Sequence, residues 1–191
     1  NKPLTIPVRA RRNAPALAMT GAPEVITVDR ATECHVTPGS VARRMVEYLG
    51  PVGDYLTLEP SAGTGQLARA LIASGHSAQE LTMIERHHRL AAALHEIGPT
   101  LNRCFLEYAK DVKGRAAFPR ILMNPPFREV RKHVAAALSL LSRGGHAEPA
   151  TLVALVPVTF DHPDAEELET LPPDTFSTAW VHTKIIRICR A

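Results

Sequence analysis

Cysteine is scarce here, and the few present stand too far apart to act together. Cys34, Cys104 and Cys189 are the only three in 191 residues. Their odd number and wide spacing exclude a disulfide framework and a cysteine-based metal site, so no metal is expected, and a reducing, cytoplasmic setting fits best. Long apolar runs are missing too. No stretch approaches the ~20 residues of a membrane span, and no signal-peptide pattern follows Asn1, so no membrane partner is expected. Acids are absent from one region in particular. Residues 1–23 contain Lys2, Arg9, Arg11 and Arg12 without an Asp or Glu. That stretch is +4 in a chain whose total is +3, which leaves the remainder at −1. The basic character therefore belongs to an arm rather than to the folded body, and such an arm is suited to tracking phosphates.

What is present describes one globular unit. Apolar residues make up 45% and charged residues 21%, enough for a real core in a chain of this length. Residues 1–30 hold four prolines, few large apolar residues and no lasting period, and read as a basic, largely irregular arm. Residues 31–191 read as a single domain. Thr37 and Pro38 look like the N-cap and first turn of a helix whose apolar face is Val41, Met45, Val46 and Leu49, ended by Gly50-Pro51. Short apolar strands are expected at 55–59, 81–85, 102–106, 120–123 and 151–156. Helical periods fall between them at 66–74, 88–97 and 128–142. The segments 178–181 and 184–189 read as a closing hairpin. Strands alternating with helices predict a doubly wound α/β sheet, covered on both faces, with an antiparallel edge.

The stretch with the most chemistry is Ile121-Leu122-Met123-Asn124-Pro125-Pro126-Phe127. Three apolar residues read as the end of a buried strand, which the prolines stop. Ligands of open α/β sheets bind beyond the carboxyl ends of strands. The prolines have no N–H, so this loop offers acceptors: the Asn124 side-chain oxygen and the backbone carbonyls. Two acceptors beside an aromatic face suit a planar –NH2 group.

A second loop follows the first strand: Glu59-Pro60-Ser61-Ala62-Gly63-Thr64-Gly65. Gly63 and Gly65 permit a sharp turn and close approach to a ligand. Glu85 ends the next strand, where an acid can accept from both ribose hydroxyls of a nucleoside. Gly63-Thr64-Gly65-Gln66-Leu67-Ala68 formally matches a dinucleotide fingerprint. Glu59 would repel a pyrophosphate, however, whereas a cofactor with an ammonium and a sulfonium would tolerate or use that carboxylate. S-adenosylmethionine is such a cofactor. His87-His88 reads as a solvated helix end, and His35 is loosely placed near the cofactor site. His133 reads as part of a polar helix face with Arg128, Arg131 and Lys132.

Taken together, these stretches resemble the amino-methylating (N6-adenine type) DNA methyltransferases, a branch of the class I S-adenosylmethionine-dependent methyltransferases, over about residues 33–189. The resemblance implies a Rossmann-like sheet of seven strands and assigns roles residue by residue. Thr37 would touch the methionine carboxylate. Glu59, Pro60, Ala62, Gly63 and Gly65 form the cofactor loop, and Glu85 binds the ribose. Asn124, Pro125, Pro126 and Phe127 form the catalytic tetrapeptide, and residues 180–186 resemble the family's last hairpin. Phe105 packs on the cofactor's adenine. The family's usual Asp over the adenine amine is replaced by Cys104, a poor acceptor. The implied reaction is methyl transfer to an exocyclic amine, first of all N6 of adenine in DNA. Close rivals are an RNA base and a protein glutamine. A non-catalytic nucleic-acid-binding module and an NAD dehydrogenase are the readings from other classes. No separate target-recognition domain is expected, so sequence specificity would be low or would come from a separate recognition subunit or a homodimer.

Overall fold

The computed structural model describes residues 35–176 and 180–191, together with the backbone of two short strands, β1 (Leu4–Pro7) and β2 (Val25–Val28). β1 and β2 pair antiparallel, with Leu4 opposite Val28, in a ladder separate from the main sheet. The rest of the arm, and with it Cys34, lies outside the described residues.

The main body runs α1 (Gly39–Leu49), β3 (Thr57–Pro60), α2 (Gln66–Ala73), β4 (Leu81–Ile84), α3 (His88–Leu94), β5 (Thr100–Leu101), α4 (Phe105–Val112), β6 (Arg120–Met123), α5 (Val130–Leu140), β7 (Ala150–Pro157), β8 (Glu166–Leu171) and β9 (Thr183–Arg190). Seven strands form one sheet in the order β5-β4-β3-β6-β7-β9-β8. β5 to β7 pair in parallel, while β9 is antiparallel to both β7 and β8. The doubly wound seven-stranded architecture and the antiparallel edge expected from the sequence are both present.

Strand side chains alternate between two cores. In β6, Ile121 and Met123 join Phe105, Tyr108, Val134 and Leu138 from α4 and α5. Leu122 between them joins Val41, Met45, Leu67 and Leu71 from α1 and α2. All three β6 residues are fully buried, each contributing roughly 1.5–3 kcal/mol by leaving water. A run of apolar residues buried on alternate faces is the pattern of a sheet covered on both sides.

One packing relationship positions the site. Buried Arg120, at the start of β6, donates from Nη1 to the carbonyl of Leu49 at the end of α1. It also lies over the Tyr55 ring, 4.3 Å from its centroid. This satisfies a helix-terminal carbonyl that the helix itself cannot, and it pins the end of α1 to the beginning of β6. Helix and strand therefore run in opposite senses. Eleven helical residues span about 16 Å, and the chain from Arg120 to Asn124 spans about 13 Å. The entry of α1 thus arrives beside the exit of β6.

Three elements differ from expectation. Residues 102–106 are not a strand. β5 is only Thr100–Leu101, because the Asn102 side chain turns back to donate to the carbonyls of Glu85 and Arg86, and α4 begins at Phe105. Phe105, Tyr108 and Ala109 are buried at i, i+3, i+4 spacing, a helical period in a segment read as extended. Thr37 is not the cap of α1. Pro38 occupies that position with no side-chain cap bond, and the Thr37 hydroxyl is used elsewhere. Finally, the first arm of the closing hairpin is β8 rather than residues 178–181. Of the latter, 178 and 179 lie outside the described residues, and Trp180 and Val181 are not strand. Three glutamates hide β8 in the sequence. They are edge-strand charges, exposed at Glu166 and Glu167 and half-buried at Glu169, held by Glu166–Arg187 at 2.6 Å, Glu167–Lys184 at 3.0 Å and Glu169–Arg44 at 2.9 Å.

Candidate active site

The chain winds outward from β3 through β4 to β5, then returns to place β6 on the other side of β3. This reversal opens a crevice at the carboxyl ends of β3 and β6, the usual ligand position in open α/β sheets. A cleft of about 290 Å³ lies there. Thr37, Glu59, Ala62, Gly63, Glu85, Cys104, Phe105, Asn124 and Pro126 line it, so nine of the residues singled out in the sequence meet in one place. Pro60, Gly65, Pro125 and Phe127 do not line it.

Asn124 has a defined orientation. Its Nδ2 donates to the His35 carbonyl at 2.9 Å and to Thr37 Oγ1 at 3.0 Å. A backbone carbonyl can only accept, so the amide nitrogen must face it, and the carboxamide cannot flip. Both N–H bonds are thereby used, and Oδ1 remains as the acceptor. Phe127 stacks on the His35 ring (centroids 5.2 Å apart, planes at 29°) and meets Phe176 edge-on at 6.3 Å. His35 thus supports both ends of the tetrapeptide, one through its backbone and one through its ring. Pro126 accepts at its carbonyl from Glu129 N–H at 3.1 Å, turning the loop toward α5.

Glu85 is 7% exposed, and the backbone already holds both of its oxygens. Oε2 accepts from Gly63 N–H at 2.8 Å and Oε1 from His87 N–H at 2.7 Å. Each oxygen retains a lone pair, so the side chain can latch the glycine loop and still receive two hydroxyls. Gly63 adopts φ +56° and Gly65 φ +76°. For Gly65 the constraint also comes from packing: a β-carbon would sit 2.6 Å from Ile97 Cδ1 and 2.7 Å from Leu94 Cδ2. Its glycine lets α3 close over the loop rather than letting a ligand approach.

Glu59 is fully buried at the floor of the cleft, and its Oε2 has no hydrogen-bond partner among the described residues. Burial pushes its pKa well up, and neighbouring Glu85 adds to the rise. A backbone bond at Ala68 and the charge of Arg69 oppose it. An orphaned carboxyl lining a cleft is completed by a cation, which holds it ionised, and in that ionised form it repels a phosphate. This donor set fits a ligand bearing an ammonium or sulfonium and does not fit a dinucleotide.

At the β5 end of the cleft, Cys104 stands at the N-cap of α4 without capping it, and the ring of Phe105 packs against His133. Here the sequence reading needs correction. His133 is 5% exposed and lines the cleft; it is not on a solvated face. Its spacing was informative, since 133 falls on the same stripe as Val130, Val134, Ala137 and Leu138. Arg86, Arg103 and Arg128 also line the cleft; Arg128 belongs to the polar helix face read from the sequence, and no local motif marked Arg86 or Arg103. Among the described residues no cluster of His, Cys, Asp and Glu could hold a metal, and no helix is long and apolar enough to cross a membrane.

No family profile matches the sequence, and no curated protein is similar to it in sequence. Solved structures do share the fold. The 23S rRNA methyltransferase ErmE superposes with a TM-score of 0.60 at 20% identity, over 80% of this chain and 68% of that one. The type I restriction-modification system methyltransferase subunit from Streptococcus thermophilus gives 0.63 at 14%, over 82% and 45%, so this chain spans less than half of that subunit's length. The putative methyltransferase yhhF from Escherichia coli gives 0.56 at 15%, over 98% and 99%. At these identities the likeness is one of fold, and that fold is the one carried by solved methyltransferases of RNA and of restriction-modification systems.

Proposed function

We propose that this protein is an S-adenosylmethionine-dependent methyltransferase acting on the exocyclic amine of a nucleic-acid base, with N6 of adenine in DNA as the first choice. The observation that carries the reading is the fixed carboxamide of Asn124, whose only uncommitted group is an acceptor at the edge of a cleft suited to a cationic nucleoside. The cofactor would be held by Glu59 at its cationic end, by Glu85 at its ribose, and by Cys104 and Phe105 at its base, with Thr37, Ala62 and Gly63 along the wall. Bound there, S-adenosylmethionine supplies a methyl group made electrophilic by its sulfonium.

The chain's own residues supply position and electrostatics. An aromatic amine is a weak nucleophile because its lone pair is delocalised into the ring. Asn124 Oδ1 and the Pro125 carbonyl accept its two N–H bonds and hold the nitrogen out of conjugation, which frees the lone pair. Phe127, already stacked on His35, extends that stack to the target ring. A base within a duplex must be flipped out to reach this loop, at a cost of a few kcal/mol. The basic arm and the arginines at the cleft supply phosphate contacts. A separate recognition subunit or a second copy would supply sequence specificity.

An RNA base is the second reading, favoured by the shared fold with an rRNA methyltransferase. Mass spectrometry of nucleosides from DNA and RNA, each incubated with the protein and methyl-labelled cofactor, decides between the two. N6-methyladenine in DNA is the expected product. Label confined to RNA moves the substrate, and label in neither leaves a protein glutamine or a non-catalytic nucleic-acid-binding module.

A further inference from the structure

Two histidine side chains at the cleft, His87 and His133, have no task in the proposed reaction and a buried Nδ1 without a partner among the described residues, and of the two it is His133 whose ring packs on Phe105. It projects from the first turn of α5, just after the loop of Asn124, and reaches the β5 end of the cleft. There its ring lies 5.7 Å from that of Phe105, tilted by 43°. It is 5% exposed, and its Nδ1 is buried with no hydrogen-bond partner among the described residues. Burial lowers its pKa, as do the charges of Arg86 and Lys132, with Glu129 opposing. The ring is therefore neutral near pH 7, with one donor and one acceptor nitrogen.

Which nitrogen carries the proton follows from where a partner can be found. An unpaired buried N–H is costlier and rarer than an under-used acceptor. Nδ1 is shut away, so it keeps the lone pair, and Nε2 carries the hydrogen. The polar atom left to His133 for the cleft is thus a donor. No such donor is needed for the ribose, whose hydroxyls have Glu85, nor for the cation, which has Glu59. What this end of the cleft offers is an aromatic face from Phe105, a weakly polar Cys104 and one imidazole N–H. That combination suits a flat heterocycle with ring nitrogens as acceptors.

We propose that His133 is the base-reading residue of the cofactor site, its Nε2–H donating to a ring nitrogen of the purine packed beside Phe105. This rests on the methyltransferase reading above and adds a specificity determinant to it. Recognition of the base then comes from a donor on α5 rather than from an acceptor at the start of α4. A carboxylate at residue 104 would select the 6-amino group, whereas His133 selects a ring nitrogen.

The test is calorimetry with S-adenosylhomocysteine and its 1-deaza, 3-deaza and 7-deaza analogues, on the wild-type protein, His133→Leu and His133→Gln. One deaza analogue should bind the wild type about 3–10-fold more weakly than the parent ligand, the span of one neutral hydrogen bond. His133→Leu should lose affinity for the parent ligand by the same factor and no longer distinguish it from that analogue. His133→Gln, which keeps a donor, should regain part of the difference. Should the Leu variant melt early, histidine-labelled nitrogen NMR of the wild type carries the test. The parent ligand should shift the His133 Nε2 resonance, and the critical deaza analogue should not. Unchanged parent affinity in a folded His133→Leu, or a deaza penalty that persists there, would overturn the assignment of His133 alone. Failure of the wild type to bind S-adenosylhomocysteine would remove the cofactor reading as well.

Discussion

Asn124 and Thr37, 87 residues apart in sequence, are joined by a 3.0 Å hydrogen bond from the carboxamide Nδ2 to the threonine hydroxyl. With the companion bond to the His35 carbonyl, it orients Oδ1 as an acceptor. Asn124→Ala removes that acceptor, which acts mainly in the transition state. Turnover should fall by about 10²–10³, by analogy with loss of one oxyanion-hole donor, with little change in S-adenosylhomocysteine affinity. Thr37→Val should slow transfer by less, because the His35 carbonyl still holds the amide. Single-turnover methyl transfer measures both, and wild-type rates in Asn124→Ala would end the proposed role of this loop.

Glu85 has a dual role, so its two obvious variants should differ. Glu85→Ala frees the N–H groups of Gly63 and His87 as well as removing the ribose acceptor. Glu85→Gln keeps one acceptor oxygen but turns an N–H against the other backbone donor. Both should weaken S-adenosylhomocysteine binding, by roughly 1.5–3 kcal/mol for bonds to a charged group. Hydrogen exchange at Gly63 should rise in both variants and most in Ala. Unaltered calorimetric affinity in both would move the ribose away from β4.

Buried Glu59 links pH to both stability and binding. Burial raises its folded-state pKa above the ordinary glutamate value, so the fold favours the protonated carboxyl. Its contribution to stability is fully present below the ordinary value and is lost as pH rises through the raised one. A cationic ligand needs the carboxylate, so affinity should rise with pH over that same window, with proton release on binding. Glu59→Gln should remove this pH dependence of stability, make the ligand-free protein more resistant to melting at alkaline pH, and weaken S-adenosylmethionine binding. Melting curves across pH and calorimetry in buffers of different ionisation enthalpy test the two halves. Binding without proton uptake or release would show that Glu59 does not face the cation.

Cys104→Asp should act twice. Cys104 occupies the N-cap of α4 and makes no capping bond, and an aspartate there should stabilise the protein by about 0.5–2 kcal/mol. It would also place an acceptor at the base end of the cleft and tighten S-adenosylhomocysteine binding by about 1 kcal/mol or more. A higher melting temperature without tighter binding would confine residue 104 to the helix cap.

Removing residues 1–12 deletes Lys2, Arg9, Arg11 and Arg12 and takes away β1, the pairing partner of β2. If each cation neutralises one phosphate, the salt slope of DNA binding should drop by up to about four units. Cofactor affinity should stay as it was. A salt slope that does not move would show that the arm makes no phosphate contacts.

Local pattern was enough for much of this molecule. Short, mostly apolar runs marked β3, β4, β6 and β7, those of β3, β6 and β7 ended by Pro, because a strand covered on both faces has little polar side to blur it. Chemistry at strand ends was legible for the same reason: Glu59, Glu85 and Asn124 each follow such a run, and a parallel sheet sends all its carboxyl ends to one edge. Two elements of the main body escaped, as did β1 and β2 in the arm. α4 was hidden because its first residues, Phe105 and Leu106, were read as the end of a strand, and β8 by glutamates whose partners Lys184, Arg187 and Arg44 come from β9 and α1. The site's finer state also depended on residues far apart in sequence. Nothing near Asn124 says which way its amide faces; that is settled by His35 and Thr37, which antiparallel packing of α1 on β6 brings alongside. Nothing near His133 says that it is buried over Phe105, since a helix shows its period to the sequence but not the partner that covers it. Strand-end chemistry in the sequence marked most of the polar groups that gather at the cleft, Glu59, Glu85 and Asn124 among them. Only tertiary packing decided which of their atoms remain free, because hydrogen-bond partners and desolvation come from elements that the chain brings together only on folding.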